Sequence, residues 1–520
     1  MKKAVKRALA AFCALILVLG LAACSNNSNN EGDTTATGNS GNGSSSAGRT
    51  DLNYRIPDAF NTLDPHNLAL ENDMLMSRQI YEPLYWIDKD NKEIPVLATE
   101  YTVSEDNLNW TFKIREGVTF HNGETLKASD VVYSFNRCLE SAYMQSYVEP
   151  IESVAATDDS TVVFTLKYPF APLLENISAI GIINEKFAED NKDEQGQMGF
   201  NTCGTGAYQL TEAITDVKVT MEAYAGYWDG EPPIKTINFE LIVDPTTAFT
   251  AFEAGELDIC SVPTSEWESV TGNPNYGSAS YTSNHVTYLI FNTEVEPFNN
   301  KKLRQAIAYA INRQDIIDMA ADGLADPATS LATPRVFGFD ESHTAFDYDV
   351  EKAKQLLAEA GYPDGLDIGS MKTVSGTYFE KVMQVVQSQL AAIGITGTVE
   401  GMEGNALVND CVTGNFTFTD MGQSLNRDYD FIKTFVGTDY INGLNMARLS
   451  NADLDTLFAQ GAETVDKDTR LDIYKQAEEI IQDECAYIPL FNKKSTAAWN
   501  KDLNFEPSFV RTLFKDVSWK

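Results

Sequence analysis

Side chains suited to acid–base or metal chemistry are sparse in this chain. His66, His121, His285 and His343 are its four histidines, each more than fifty residues from the next, so a three-histidine metal centre requires nearly all of them. His121 lies in Phe120-His-Asn-Gly123, a turn composition between two elements. Asp158-Asp159 and Glu478-Glu479 have the residue type for paired-carboxylate catalysis, but 75 Asp and Glu residues yield such pairs by chance. Gly204-Thr-Gly206-Ala-Tyr208 begins like a phosphate cradle, yet it lacks a third glycine and continues to Leu210 as strand rather than helix. G-x-x-x-x-G-K-S/T, H-E-x-x-H, G-x-S-x-G and G-x-G-x-x-G are all absent. No cofactor or metal is called for, and the residues point to binding rather than catalysis.

The elements that must position any such site alternate between short β-rich runs and longer helical patterns, which makes the chain α/β. Thr161–Leu166, Lys235–Val243 and Val286–Phe291 read as strands. Apolar residues at helical spacing within Lys301–Asp322 predict a helix there. Asp349 caps another through Ala360, stopped by Gly361, and two more run from about Thr377 to Ile393 and from Asp468 to Asp483. No repeat of 20–50 residues is visible, which excludes a solenoid.

At 520 residues and 43% hydrophobic, the chain has material for two or three lobes. Lys2, Lys3, Lys6 and Arg7 precede an apolar run, Ala8 to Ala23, that is short for a membrane span. The run ends in Leu21-Ala22-Ala23-Cys24, which resembles a lipoprotein cleavage box. Residues 1–23 then form a signal peptide and Cys24 carries the lipid. Ser25 to Gly48 has no aromatic or long aliphatic residue, so 24–49 is a lipid-anchored, disordered tether. Loss of the four basic residues of the signal takes the net charge from −36 to −40, which disfavours nucleic acid and electrostatic adhesion to membranes. Cys138, Cys203, Cys260, Cys411 and Cys485 remain; their odd number and the lack of C-x-x-C spacing make them mainly buried small hydrophobes, with one bridge among them left open.

From residue 50 onward, blocks occur in an ordered series: Leu63-Asp-Pro65, Ile80-Tyr-Glu-Pro-Leu-Tyr85, Trp110 to Phe135, Gly204 to Tyr208, Tyr227-Trp-Asp-Gly230, Leu303 to Arg313 and Ala353 to Pro363. The series resembles the oligopeptide- and dipeptide-binding proteins of ABC importers. Much of it has a purely structural use, since Gly117 and Gly123 bracket a short strand and Ser129-Asp130 can cap a helix from Val131.

The resemblance implies a two-lobe type II periplasmic-binding-protein fold with an extra subdomain in lobe one. Lobe one comprises residues 50–284 with 491–520, its extra subdomain about 88–205, and lobe two comprises 285–490. Two chain crossings, near Ser283–Val286 and Pro489–Lys493, form the hinge. The implied protein is a monomeric extracytoplasmic receptor that passes di- or oligopeptides to membrane permease subunits. Relatives that bind a chelated metal or an oligosaccharide leave an alternative within the fold; a hydrolase or a sensor is a more distant one.

Peptide-binding members carry an aspartate for the ligand's α-ammonium, in a pattern like Ala-Asp-Tyr-x-Asp-Pro. Arg427-Asp-Tyr-Asp-Phe431 is the matching stretch, with Phe431 in place of the proline. Asp428 is thus the implied anchor, because a buried ammonium needs a carboxylate. A capping role for Asp428 over Tyr429–Phe435 is the competing reading. Gly422, Gln423 and Asn426 are candidates for bonding the ligand backbone, Arg427 for a carboxylate, and Tyr378 and Tyr429 for pocket walls.

Overall fold

A computed structural model describes residues 48–68, 70–141, 143–344, 346–424, 428–508 and 511–520. The signal, Cys24 and most of the tether lie outside these residues. So do Asn426 and Arg427.

An eleven-stranded sheet runs through the molecule, and two long antiparallel strands, Tyr276–Phe291 and Tyr487–Asn500, join its halves. In the first half, Tyr276–Thr282 pairs with Lys494–Asn500, and the sheet continues through Ile259–Ser261, Asp51–Ile56, Thr236–Leu241, Lys218–Ala223 and Tyr208–Ile214. In the second, Val286–Ile290 pairs with Tyr487–Asn492, and the sheet continues through Phe418–Ser424, Leu366–Val374 and Ile395–Met402. Between the two stretches the ladder slips: residues 283 to 285 face Lys493 alone. Such a bulge bends the strand and sharpens its twist, so the two halves meet at an angle.

The second half is built as buried parallel sheet. Leu366–Val374 pairs in parallel with both Ile395–Met402 and Phe418–Ser424, connected by helices Tyr378–Ala391 and Gly404–Thr413. Parallel strands need such crossovers, and the helices cover both faces. Leu289, Phe291, Met371, Val382, Val386 and Phe418 form the core on one face; Tyr288, Ile290, Leu407, Tyr429, Phe458 and Tyr474 form it on the other.

A separate antiparallel sheet of Ala98–Val103, Asn109–Ile114, Thr161–Leu166 and Ile151–Asp158 has its own core around Trp110, Phe112, Phe135 and Phe164. The carboxy-terminal residues return to the first half, where Phe514 is buried and Trp519 Nε1 donates to Asp51 O at 2.8 Å. Arg49 fixes the start of the body by pairing with Asp51 and Asp258 at 2.8 Å each and lying 4.2 Å over the Trp519 ring.

Local rules place most elements where the sequence predicts. Asp349 accepts from Lys352 N at 2.9 Å and starts the helix Val350–Glu359. The pattern within Lys301–Asp322 splits instead into Lys301–Ala310 and Arg313–Ala320, because the Asn312 side chain accepts from Gln314 N and caps a second helix. The helix expected from Val131 begins at Ala128, with Asp130 reaching back to accept from Lys127 N at 2.9 Å. Cys138, Cys203, Cys260, Cys411 and Cys485 are buried free thiols. Among the described residues no helix is long and apolar enough to cross a membrane.

The glycines of Gly204-Thr-Gly206 serve close packing. A Cβ on Gly204 would stand 1.9 Å from Ile80 O, and Gly206 N donates to that oxygen at 2.8 Å, so this segment lies against the end of helix Glu71–Ile80. Gly204→Ala therefore meets a backbone atom that cannot rotate away. It is expected to cost about 3 kcal/mol in urea unfolding, and an unchanged midpoint would contradict this packing.

His66 and His121 are neutral in the fold, each donating from Nε2 to a carbonyl, Gly181 O and Gly206 O, at 2.9 Å. Burial pushes both down to about 4. The folded state thus binds fewer protons than the unfolded chain between that value and about 6.5, and these residues' stabilisation is lost as pH falls through that window. Thermal midpoints of His66→Gln are expected to fall less steeply than wild type over that range; parallel slopes would show that His66 does not titrate there.

Candidate functional site

The sheet's slip brings two polar clusters to the junction of the halves. The first lies on the face covered by helix Tyr378–Ala391. His285 Nε2 shares a hydrogen bond with the Tyr378 hydroxyl at 3.1 Å, and that hydroxyl shares another with Thr287 Oγ1 at 3.2 Å. Lys493 Nζ stands 3.9 Å from the centre of the Tyr378 ring, whose other neighbour is Phe379, stacked at 4.1 Å. Gly422 lies opposite Thr287 in the ladder; a Cβ there would meet His285 Nε2 at 2.4 Å, so the missing side chain makes room for the imidazole.

Burial, with the charge of Lys493 adding to it, pushes His285 down to about 4 and leaves the ring neutral. Burial also lowers Lys493, with no neighbouring acid to restore it. The carboxyl of Asp420, on the same strand as Gly422, is wholly buried and held far above the usual carboxylate range by that burial.

The second cluster follows the end of strand Phe418–Ser424 and borders the opposite core. Asp428 Oδ1 accepts from Asp430 N at 2.9 Å, which caps the helical turn Tyr429–Ile432. The same oxygen accepts from Arg470 Nη2 at 2.6 Å. Arg470 is itself fixed by donating to Gly461 O at 3.0 Å and to the Tyr474 hydroxyl. Oδ2 of Asp428 has no hydrogen-bond partner among the described residues. Asp430 Oδ2 pairs with Lys433 Nζ at 2.7 Å, while its Oδ1 is buried without a partner.

This segment faces the body built on the four-stranded sheet. Lys433 Nζ lies 5.9 Å from the Phe170 ring centre, Ala171 N donates to Ala462 O at 2.7 Å, and Lys467 pairs with Glu93 at 2.9 Å. The two halves therefore touch beside Asp428 as well as at the crossing.

Of the residues singled out in the sequence, Gly422 and Tyr378 converge on His285. Gln423, opposite Val286, is half-buried on the same strand. Asp428 caps a turn, as the competing reading has it, and keeps one carboxylate oxygen unbonded. Tyr429 is not a pocket wall: it is 1% exposed, its ring lies 5.1 Å from Tyr474 and 6.0 Å from Phe458, and its hydroxyl donates to Glu478. Its side chain points into the core, packed against Phe458 and Tyr474.

Arg470, Lys493 and His285 were not singled out. Arg470 lies in an ordinary amphipathic helix, and nothing in its spacing marks it. Lys493 ends the expected second crossing and His285 falls within the first, so their shared location was the available signal.

A family model for bacterial extracellular solute-binding proteins, family 5 (middle), matches residues 92–452. The glutathione-binding protein GsiB of Escherichia coli K12 is 30% identical over 470 residues, 87% of this chain and 91% of that protein. Among solved structures, HbpA2 from Haemophilus parasuis superposes with a TM-score of 0.82 at 28% identity, over 90% of this chain and 100% of that one. DppA from Helicobacter pylori, an ABC transporter-associated periplasmic binding protein in complex with the peptide STSA, gives 0.72 at 25% identity, over 90% and 98% of the two chains. The fold is thus the two-lobe α/β fold of periplasmic binding proteins.

Arg470→Met removes the cation from a buried pair and leaves Asp428 uncompensated, an expected loss of about 3–5 kcal/mol in urea unfolding. Adding Asp428→Asn is expected to restore most of that loss. A stable single variant, or a double variant as weak as the single, would show that the pair does not carry this energy.

Proposed function

The chain belongs to the bacterial extracellular solute-binding proteins of family 5, and from that membership we propose that it captures di- or oligopeptides and hands them to a membrane permease. Its relatives are binding proteins of ABC importers and not enzymes, and the sequence offers no catalytic constellation. Two names support the peptide reading: GsiB is a glutathione-binding protein, and DppA was solved with a peptide.

The observation that carries the proposal is the half-engaged carboxylate of Asp428. Arg470 and the Asp430 N–H hold Oδ1 in a fixed orientation, and Oδ2 is left for a donor that the described residues do not supply. An α-ammonium is such a donor. It arrives at a carboxylate whose desolvation and orientation are already in place, so little ordering remains to be done on binding.

In this reading residues 50–284 with 491–520 form lobe one, about 88–205 its extra subdomain, and 285–490 lobe two. The ladder slip at 283–285 and Lys493 serves as the hinge, since a bulge concentrates the backbone change of closure in a few residues. Residues 1–23 are removed, lipidated Cys24 holds a monomer at the outer face of the cell membrane, and the residues between Cys24 and Arg49, which is tied to Asp51 and Asp258, give it reach.

The test uses residues 49–520 with free-amine peptides and their N-acetylated counterparts. Wild type is expected to be stabilised by the free-amine set, by about 2.7 kcal/mol at a hundred times the dissociation constant. Asp428→Asn is expected to abolish that shift while remaining folded. Equal response to acetylated and free-amine peptides, or an unaltered response in the variant, would remove Asp428 from the site.

A further inference from the structure

Lys493 stands out in a chain with 75 acidic and 39 basic side chains, because no carboxylate among the described residues pairs with it. Its nearest charged relative in sequence, Lys494, shows the ordinary arrangement, with Nζ 2.6 Å from Asp326. Lys493 instead extends over the Tyr378 ring, a weaker attraction than an ion pair. Withdrawing an ammonium from water without a counter-charge is costly, and such a group binds strongly to an anion that enters beside it.

The surroundings are built to admit an anion and nothing larger in charge. The two hydroxyls of Tyr378 and Thr287 share one hydrogen bond and can redirect a proton to a newcomer. Burial keeps His285 neutral, and no ion pair joins Asp420 or another carboxylate to the lysine among the described residues. Tyr378, His285 and Lys493 are each only partly buried, which leaves them within reach of a solute from solvent. A doubly charged phosphate needs a second cation, and the described residues here supply one alone.

We infer that Lys493, with the hydroxyls of Tyr378 and Thr287 beside it, is an anion subsite for a carboxylate of the bound solute, placed on the strand that crosses between the lobes. The inference rests on the peptide-receptor reading and adds a polarity to it. The ammonium meets Asp428 beyond the end of strand Phe418–Ser424, and the carboxylate meets Lys493 beside Gly422 within that strand's span. Because Lys493 is also the residue opposed by the bulge, an anion bound there joins the solute directly to the hinge.

The test exposes wild type, Lys493→Met and Lys493→Arg to equimolar libraries of tri- to pentapeptides with free or amidated carboxyl termini, and reads captured peptide by native mass spectrometry. Wild type is expected to favour the free-carboxylate library by roughly 10- to 100-fold, the range for a charge-assisted hydrogen bond. The methionine variant is expected to lose that preference while still capturing peptides, and the arginine variant to keep most of it; its capture also shows that position 493 tolerates change. If wild type takes both libraries equally, or the methionine variant keeps the preference, the subsite is overturned while the receptor reading stands. If wild type takes neither library, the receptor reading fails and the subsite falls with it.

Discussion

Everything in this molecule depends on two strands that belong to both lobes. Tyr276–Phe291 and Tyr487–Asn500 run side by side through the sheet, and their ladder shifts register twice, where 283 to 285 face Lys493 and again between Thr287 and Tyr288. On one side Val286–Phe291 is buried on both faces, which pins its register: a shift by one residue would carry Leu289 and Phe291 out of one core and Tyr288 and Ile290 out of the other. On the other side the same strands join the sheet that carries Asp51–Ile56. The longer of the two shifts, where three residues face Lys493, lies between the halves, and it is there that the proposed hinge is placed.

The charges follow the same division. Asp428, Arg470, Asp430 and Lys433 form a balanced, mostly buried set in which each carboxylate has an oxygen with no hydrogen bond from the described residues. That set draws a cation without being held apart by its own repulsion. Lys493 is the opposite case, a cation with a ring beside it and no carboxylate partner among the described residues of an acidic protein. In the proposed reading a zwitterionic solute would complement both, and its binding would tie the crossing to the segment that faces Phe170 and Ala171. Closure over such a solute follows from differential contact, since only the bound state satisfies these groups together.

Much of the fold was legible in the sequence because local chemistry decides it. Asp349 with Gly361 gave the helix Val350–Glu359 to within a residue, and the alternation in Thr161–Leu166 gave its strand. Asn312 broke a periodic stretch that apolar spacing alone read as one helix. The site was less legible. Asp428 could be proposed from a resembling pattern, but its partner Arg470 lies 42 residues away and meets it through tertiary packing alone. Tyr429 has the composition of a pocket wall, and only its packing between Phe458 and Tyr474 shows it to be core. His285 and Lys493 are distant in sequence and become neighbours through strand pairing, which no local signal records.

Hydrogen–deuterium exchange with and without a captured peptide tests the central claim most directly, namely that the strand crossing is both hinge and floor of the solute site. Protection is expected to rise together in three segments from both crossings and lobe two: 283–287, 420–433 and 489–494. Protection confined to one lobe away from the crossing, or none on saturation, would contradict it.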